Sequence, residues 1–111
     1  MRHRPARKLQ AQATDPVASA LARARRARKK GKTRQEVNAL RQACSLQEFD
    51  AALWTLLGAA WLRMSRVDDA ITAFKHAVWL RERAGDDKRA AVTRKLLDCA
   101  WRGVLPHRAA A

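Results

Sequence analysis

Residues Trp54 to Ala77 read WTLLGAAWLRMSRVDDAITAFKHA and carry the clearest helical pattern of the chain. Apolar side chains recur at three- and four-residue steps on both sides of a polar turn at residues 65–67, which is the spacing of two amphipathic helices joined by a short turn. Small residues in the stretch would let the two helices approach closely, and the aromatic residues would fill the space between hairpins. The stretch therefore predicts a packed helical hairpin.

The same spacing resembles the signature of the tetratricopeptide repeat, a helix–turn–helix unit of about 34 residues. The matching positions are Trp54-x-x-Leu57-Gly58-x-x-Trp61 followed by Ala70-x-x-x-Phe74-x-x-Ala77. The proline that ends the family pattern is absent, since Glu82 stands in its place. The resemblance implies that the structural core of the repeat consists of Trp54, Leu57, Gly58, Trp61, Ala70, Phe74 and Ala77.

When the repeat pattern is shifted towards the N-terminus by one repeat length, residues 17–50 match it as a degraded copy of the second repeat. Gly31 aligns with Ser65, and small or apolar residues occupy many of the other equivalent positions. The copy departs from the pattern where Glu36 stands at the position of Ala70. The chain is thus predicted to hold two repeats, of which the second is the clearer.

Caps and apolar spacing extend the helical prediction over most of the chain. We expect helices over residues 16–30, from about residue 33, from the cap at Asp50 to about residue 64, and over residues 68–84 and 87–102. Thr33 and Glu36 have the spacing of a capping box at the start of the second helix. In the last helix, the positions predicted to face inward are Ala91, Val92, Leu96, Cys99 and Ala100.

The predicted fold is all-α, a short right-handed α-solenoid of two helix–turn–helix repeats plus a C-terminal capping helix. The capping helix is expected because an open solenoid end would expose an apolar face. We predict a flexible basic tail over residues 1–14, a tetratricopeptide-like helical repeat domain over residues 15–104, and a flexible C-terminal tail over residues 105–111.

The formal net charge of +14 is concentrated in the N-terminal third of the chain. Residues 1–34 carry twelve Lys and Arg residues and a single acid, Asp15. Such a block either attracts an anionic partner or serves as a solvated surface. It has no interleaved aromatic residues, so stacking on nucleic-acid bases is not indicated.

The tetratricopeptide resemblance implies a concave groove that holds a peptide or a partner helix and is lined by the first helix of each hairpin. The positions that it assigns to partner binding are Leu21, Arg25, Arg28, Lys29, Thr55, Ala59, Leu62, Arg63, Thr93 and Leu97. The Lys and Asn set with which some family members clamp a C-terminal carboxylate has no counterpart here. Arg25, Arg28 and Lys29 could still engage acidic side chains or phosphates, or could form a solvated helix face.

The leading hypothesis is a cytoplasmic adaptor or small chaperone that binds an acidic or amphipathic segment of another protein. The alternative is a basic accessory factor that binds RNA, DNA or an acidic assembly through the N-terminal third. Self-association through exposed repeat faces is a third possibility. No run approaches the roughly 20 apolar residues that span a bilayer, so no membrane is expected among the partners.

No enzymatic activity, cofactor or metal site is predicted. The three histidines, His3, His76 and His107, have no paired base or nucleophile nearby in the sequence and are expected at the surface. Cys44 and Cys99 are expected to be buried, reduced thiols. Trp79 and Trp101 are less determined than the two repeat-core tryptophans, and Trp79 lies off the predicted core face, where it could mark a partner surface.

Overall fold

The computed structural model describes residues 15–103 and shows five helices and no strand within that range, which confirms the all-α prediction. The helices are α1 (Pro16–Lys29), α2 (Thr33–Leu46), α3 (Ala51–Arg63), α4 (Val67–Arg83) and α5 (Asp87–Trp101). The predicted tails at residues 1–14 and 105–111 lie outside the described residues.

Three aspartates begin helices by accepting hydrogen bonds from backbone N–H groups. The carboxylates of Asp15, Asp50 and Asp86 each bind an N–H group two or three residues further on, at 3.0 to 3.2 Å. Each carboxylate satisfies one of the N–H groups that the first helical turn leaves without a partner. The helix starts at α1, α3 and α5 are therefore encoded locally, as the sequence predicts.

The capping box predicted at α2 is wrong. Lys32 occupies the N-cap position, no side chain caps the helix, and Thr33 is already its first residue. Glu36 therefore lies one position past the place from which a capping-box carboxylate reaches back. Its carboxylate instead pairs with Arg63 of α3, with Oε2 2.6 Å from Nη2.

The same left-handed turn follows α1, α3 and α4. Gly31, Ser65 and Gly85 have φ values of 71°, 60° and 74°, and the N–H of the next residue bonds at 2.9 Å to a carbonyl in the last helical turn. This is the Schellman arrangement that satisfies helix carbonyls at a C-terminus. Gly31 and Ser65 are the two residues that the repeat alignment makes equivalent, so the turn geometry recurs at the repeat spacing.

Each helix packs mainly against the next one along the chain. One cluster of buried side chains joins α1, α2 and α3 and includes Ala73 of α4, and a second joins α3, α4 and α5. Phe74 is fully buried in the second cluster, and its ring lies directly against Gly58 of α3. Trp54 and Trp61 are partly buried and pack against the first cluster. Helix α3 thus contributes to both clusters.

The predicted inward face of α5 is partly wrong. Ala91 and Val92 are exposed, whereas Ala90 and Thr93 are fully buried. The burial follows Ala90, Thr93 and Ala100, which lie on one side of the helix at three- and seven-residue steps. The apolar character of Val92 was misleading, because the buried residues of α5 are Ala90, Thr93 and Ala100, with Leu96 and Leu97 partly buried beside them.

Candidate anion-binding surface on the first helical hairpin

Helix α1 carries exposed cations on both sides of its buried alanine face. The buried face consists of Ala20, Ala24 and Ala27. At about 100° of rotation per residue, Arg23, Arg26 and Lys30 fall on one side of that face. Arg25, Arg28 and Lys29 fall on the other side, and all six of these cations are exposed.

The first of these two flanks forms one wall of an open cleft between α1 and α2. The cleft has a volume of about 460 Å³, and only residues of these two helices and Lys30 line it. Its lining contains no acid and no aromatic ring. The lining residues are Arg23, Arg26, Ala27, Lys30, Gln35, Asn38, Ala39 and Gln42.

A row of amides forms the wall opposite the cations. Gln35, Asn38 and Gln42 repeat the three- and four-residue spacing of the basic row, so both rows run along facing sides of the hairpin. Between the rows lie the buried residues Ala27 and Ala39, whose small side chains leave the floor of the cleft open.

Arg23 bridges the two walls at one end of the cleft. Its Nη1 donates a hydrogen bond to Ser19 Oγ at 3.1 Å, and its Nη2 donates to Gln42 Oε1 across the cleft. Arg26 and Lys30 form no side-chain hydrogen bond with any residue from 15 to 103. Their donors face solvent and are available to an external acceptor.

Half of the ten acids of the described chain form ion pairs, and these pairs lie outside α1. Ion pairs join Glu36 to Arg63 between α2 and α3, Glu82 to Arg94 between α4 and α5, and three further pairs lie within single turns. None of the ion pairs among residues 15–103 involves a base of α1. The positive charge of α1 is therefore not neutralised by this part of the chain.

Several residues assigned to the predicted groove have side chains that are buried or hydrogen-bonded within the fold. Leu62 is buried in the second cluster, and Thr93 is completely buried. The Thr93 hydroxyl accepts a hydrogen bond from Arg81 Nη1 at 2.9 Å and donates one to the Arg89 carbonyl at 2.8 Å. These two side chains tie the fold together and are not accessible to a partner.

The remaining predicted groove residues differ in accessibility. Thr55 donates to the carbonyl of Ala51 at 2.8 Å within its own helix, and Arg63 is held by Glu36. Leu21, Ala59 and Leu97 are half-buried apolar residues that pack against the two clusters. The exposed members of the set are Arg25, Arg28 and Lys29.

The Glu36 carboxylate is a buried polar group. In the sequence, the only sign of it was that Glu36 departs from the repeat pattern at the position of Ala70. Its side chain is 6% exposed and that of Arg63 is 25% exposed. Oε1 has no hydrogen-bond partner among the described residues. A buried carboxylate requires a compensating charge, so Arg63 serves the fold at the position where the resemblance implied partner binding.

An aromatic row crosses α3 and α4. The ring of His76 lies between those of Trp54 and Trp79, with centroid distances of 4.5 and 5.9 Å, and Arg83 lies 4.8 Å from the Trp79 ring centroid. His76 is therefore half-buried between the two tryptophans. Trp79 is 47% exposed.

The two cysteines are free thiols with different surroundings. Burial, followed by the negative charge of Asp50, raises the pKa of Cys44 to about 12. Since the thiolate is the reactive form, Cys44 is an inert packing residue near neutral pH. Cys99 is only partly buried, which corrects the prediction that both thiols are buried.

Across residues 15–103, no group of three His, Cys, Asp or Glu side chains is placed to hold a metal ion. None of the helices in that range combines the length and the apolar character needed to cross a membrane. Comparisons of the chain with protein-family models, with curated proteins and with solved structures give no match.

Proposed function

We propose that this protein is a non-catalytic interaction module that binds an acidic segment of a partner protein through the cations of α1. The observation that carries the proposal is the separation of charge along the chain. The bases of α1 have no acidic partner among residues 15–103, whereas the described ion pairs all lie between residues 36 and 102. In either proposed role, as an adaptor or as a small chaperone, the protein would bind its partner through this surface.

The repeating geometry of the helical array supports a tetratricopeptide-like solenoid. The left-handed turns at Gly31 and Ser65 recur at the repeat spacing, and α2 and α4 begin two residues after them. We propose that helix α5 closes the array. Its exposed side carries Lys88, Lys95 and Asp98 as well as the apolar residues Val92 and Trp101. A short, closed array of this kind presents surfaces and holds no enclosed substrate pocket.

Carboxylates are the favoured ligands for this surface because Arg binds them through two parallel N–H···O bonds. A partner's acidic side chains would replace the solvent that now surrounds Arg25, Arg26 and Arg28. Such contacts favour rapid, charge-steered association more than high affinity. We therefore expect a dissociation constant that rises with salt concentration.

Nucleic acid is the competing partner, because a helix with this density of bases also complements phosphates. The α1–α2 cleft favours a protein partner, since its lining contains no aromatic ring on which a base could stack. The exposed tryptophans Trp79 and Trp101 lie on α4 and α5 instead.

Fluorescence anisotropy with the full chain tests the proposed function. The probes are a labelled oligoglutamate peptide and a labelled oligouridylate of equal formal charge, each titrated at low and at near-physiological salt. The expected result is peptide binding that persists at the higher salt and is competed by unlabelled peptide. Tighter binding of the oligouridylate at both salt concentrations would replace the adaptor function with the basic accessory function.

A further inference from the structure

We propose that the cleft between α1 and α2 is the binding site for an extended acidic peptide, which would lie between the basic row and the amide row. The proposal rests on the proposed function and assigns it to one of the two basic flanks of α1. It also differs from the groove that the repeat resemblance implies, because that groove uses Arg25, Arg28 and Lys29 on the other flank.

The two walls of the cleft are matched in register. Arg23 contacts Gln42, and the two helices run in opposite directions along the hairpin. The same antiparallel register places Arg26 opposite Asn38 and Lys30 opposite Gln35. Each cation of the row thus faces one amide across the cleft.

This pairing suits a peptide chain that carries acidic side chains. The guanidinium and ammonium groups only donate hydrogen bonds, whereas the side-chain amides of Gln and Asn both donate and accept. The amide row can therefore bind the N–H and C=O groups of an extended backbone, while the basic row binds its carboxylates. A phosphate ion would use the cations and leave the acceptor oxygens of the amides unused.

The dimensions indicate an extended occupant. From Arg23 to Lys30 the helix rises about 10 Å, which an extended chain covers with about three residues. The floor is formed by Ala27 and Ala39, whose small side chains allow a backbone to approach closely.

Charge complementarity indicates that the occupant is a segment of another protein. Residues 1–14 and 104–111, which lie outside the described structure, contain no Asp or Glu. These parts of the sequence therefore supply no acidic side chains. Arg23 already holds Gln42, so we expect the peptide to engage Arg26 and Lys30 first and to exchange the Arg23–Gln42 contact as it fills the cleft.

The test compares two triple variants with the same change in charge. R23E/R26E/K30E reverses the cleft flank of α1, and R25E/R28E/K29E reverses the opposite flank. Each is prepared in the full chain, checked for helical content by circular dichroism, and titrated with the labelled oligoglutamate peptide by anisotropy. The cleft variant should weaken binding by about tenfold or more, and the opposite-flank variant by less than about threefold.

A variant without any change in charge distinguishes the contribution of contacts in the cleft from that of long-range electrostatic attraction. N38L removes an amide from the middle of the wall and should weaken peptide binding by about threefold or more while leaving oligouridylate binding unchanged. Equal losses in the two triple variants, or an unaltered affinity in N38L, would overturn the cleft assignment and leave the proposed function standing. An absence of peptide binding by the unmodified chain would overturn both.

Self-association is measured separately on the same variants. Sedimentation velocity of the unmodified chain over a concentration series should show a monomer. A dimer that the R23E/R26E/K30E variant dissociates would overturn the proposal, because the cleft would then bind a second copy of the chain.

Discussion

Phe74 packs so closely against Gly58 that a β-carbon at residue 58 would lie 2.6 Å from the Phe74 ring. The ring belongs to α4 and the glycine to α3, so this contact sets the separation of the two helices in the α3–α4 hairpin. Phe74 is fully buried and cannot move into solvent without opening the second cluster. The closeness of this hairpin therefore depends on the absence of a side chain at residue 58.

Replacing Gly58 with Leu is expected to destabilise the protein by about 1–3 kcal/mol or more, because the added side chain would overpack the contact with Phe74. The matched control is Ala52→Leu, which introduces the same residue at an exposed position of α3. Urea unfolding followed by circular dichroism gives both free energies of unfolding. Equal stabilities of the two variants would mean that the Gly58 contact does not limit the packing of the hairpin.

The Glu36–Arg63 pair should act as a unit. Arg63→Ala would leave a buried carboxylate without its cation and should cost about 2 kcal/mol, below the usual 3–5 kcal/mol because Arg63 is a quarter exposed. Glu36→Ala removes the buried carboxylate and leaves only the partly exposed Arg63 without its partner, so it should cost less. In a double-mutant cycle we expect a coupling free energy of about 1 kcal/mol or more, whereas additive losses would show that the pair contributes nothing.

Exchanging the residue types of Gly31 and Ser65 tests whether the two turns are equivalent. Ser65 is a non-glycine residue at positive φ, a conformation that costs an L-amino acid about 1 kcal/mol. Ser65→Gly should therefore raise the free energy of unfolding by about 0.5–1 kcal/mol, and Gly31→Ser should lower it by a similar amount. Thermal melts of the two variants measure the pair, and changes of the same sign would contradict the equivalence of the two turns.

Thiol reactivity should distinguish the two cysteines. Burial raises the pKa of Cys44 to about 12, so near pH 8 almost none of it is thiolate, whereas Cys99 is partly accessible. The native protein should react rapidly with a disulfide reagent at one thiol, and Cys99→Ser should abolish that fast phase. A fast phase that survives in Cys99→Ser and disappears in Cys44→Ser would contradict the burial of Cys44.

The sequence predicted the helices well because their signals are local. Aspartate caps, glycine turns and apolar spacing all act within a few residues, and they fix the helix starts at Asp15, Asp50 and Asp86. The rotation of α5 was not predictable in this way, since it depends on the fit of Ala90 and Thr93 against α4. An exposed apolar residue such as Val92 has the same pattern in the sequence as a buried one.

The candidate site was only half visible in the sequence. The density of bases in α1 identified a basic surface, but the choice of Arg25, Arg28 and Lys29 rested on the repeat resemblance. The register between α1 and α2 decides which cations face the amide row, and that register involves residues separated by as many as 19 positions. The matching three- and four-residue spacing of Gln35, Asn38 and Gln42 was the available signal.

The most direct measurement is a nuclear magnetic resonance titration of the ¹⁵N-labelled full chain with the oligoglutamate peptide, followed at side-chain amide and guanidinium signals. The account predicts saturable shifts in the side-chain amides of Gln35, Asn38 and Gln42 and in the guanidinium of Arg26. Gln47, which is exposed at the end of α2 and outside the cleft, serves as the control amide. Shifts confined to Arg25 and Arg28, with the three cleft amides unchanged, would contradict the account.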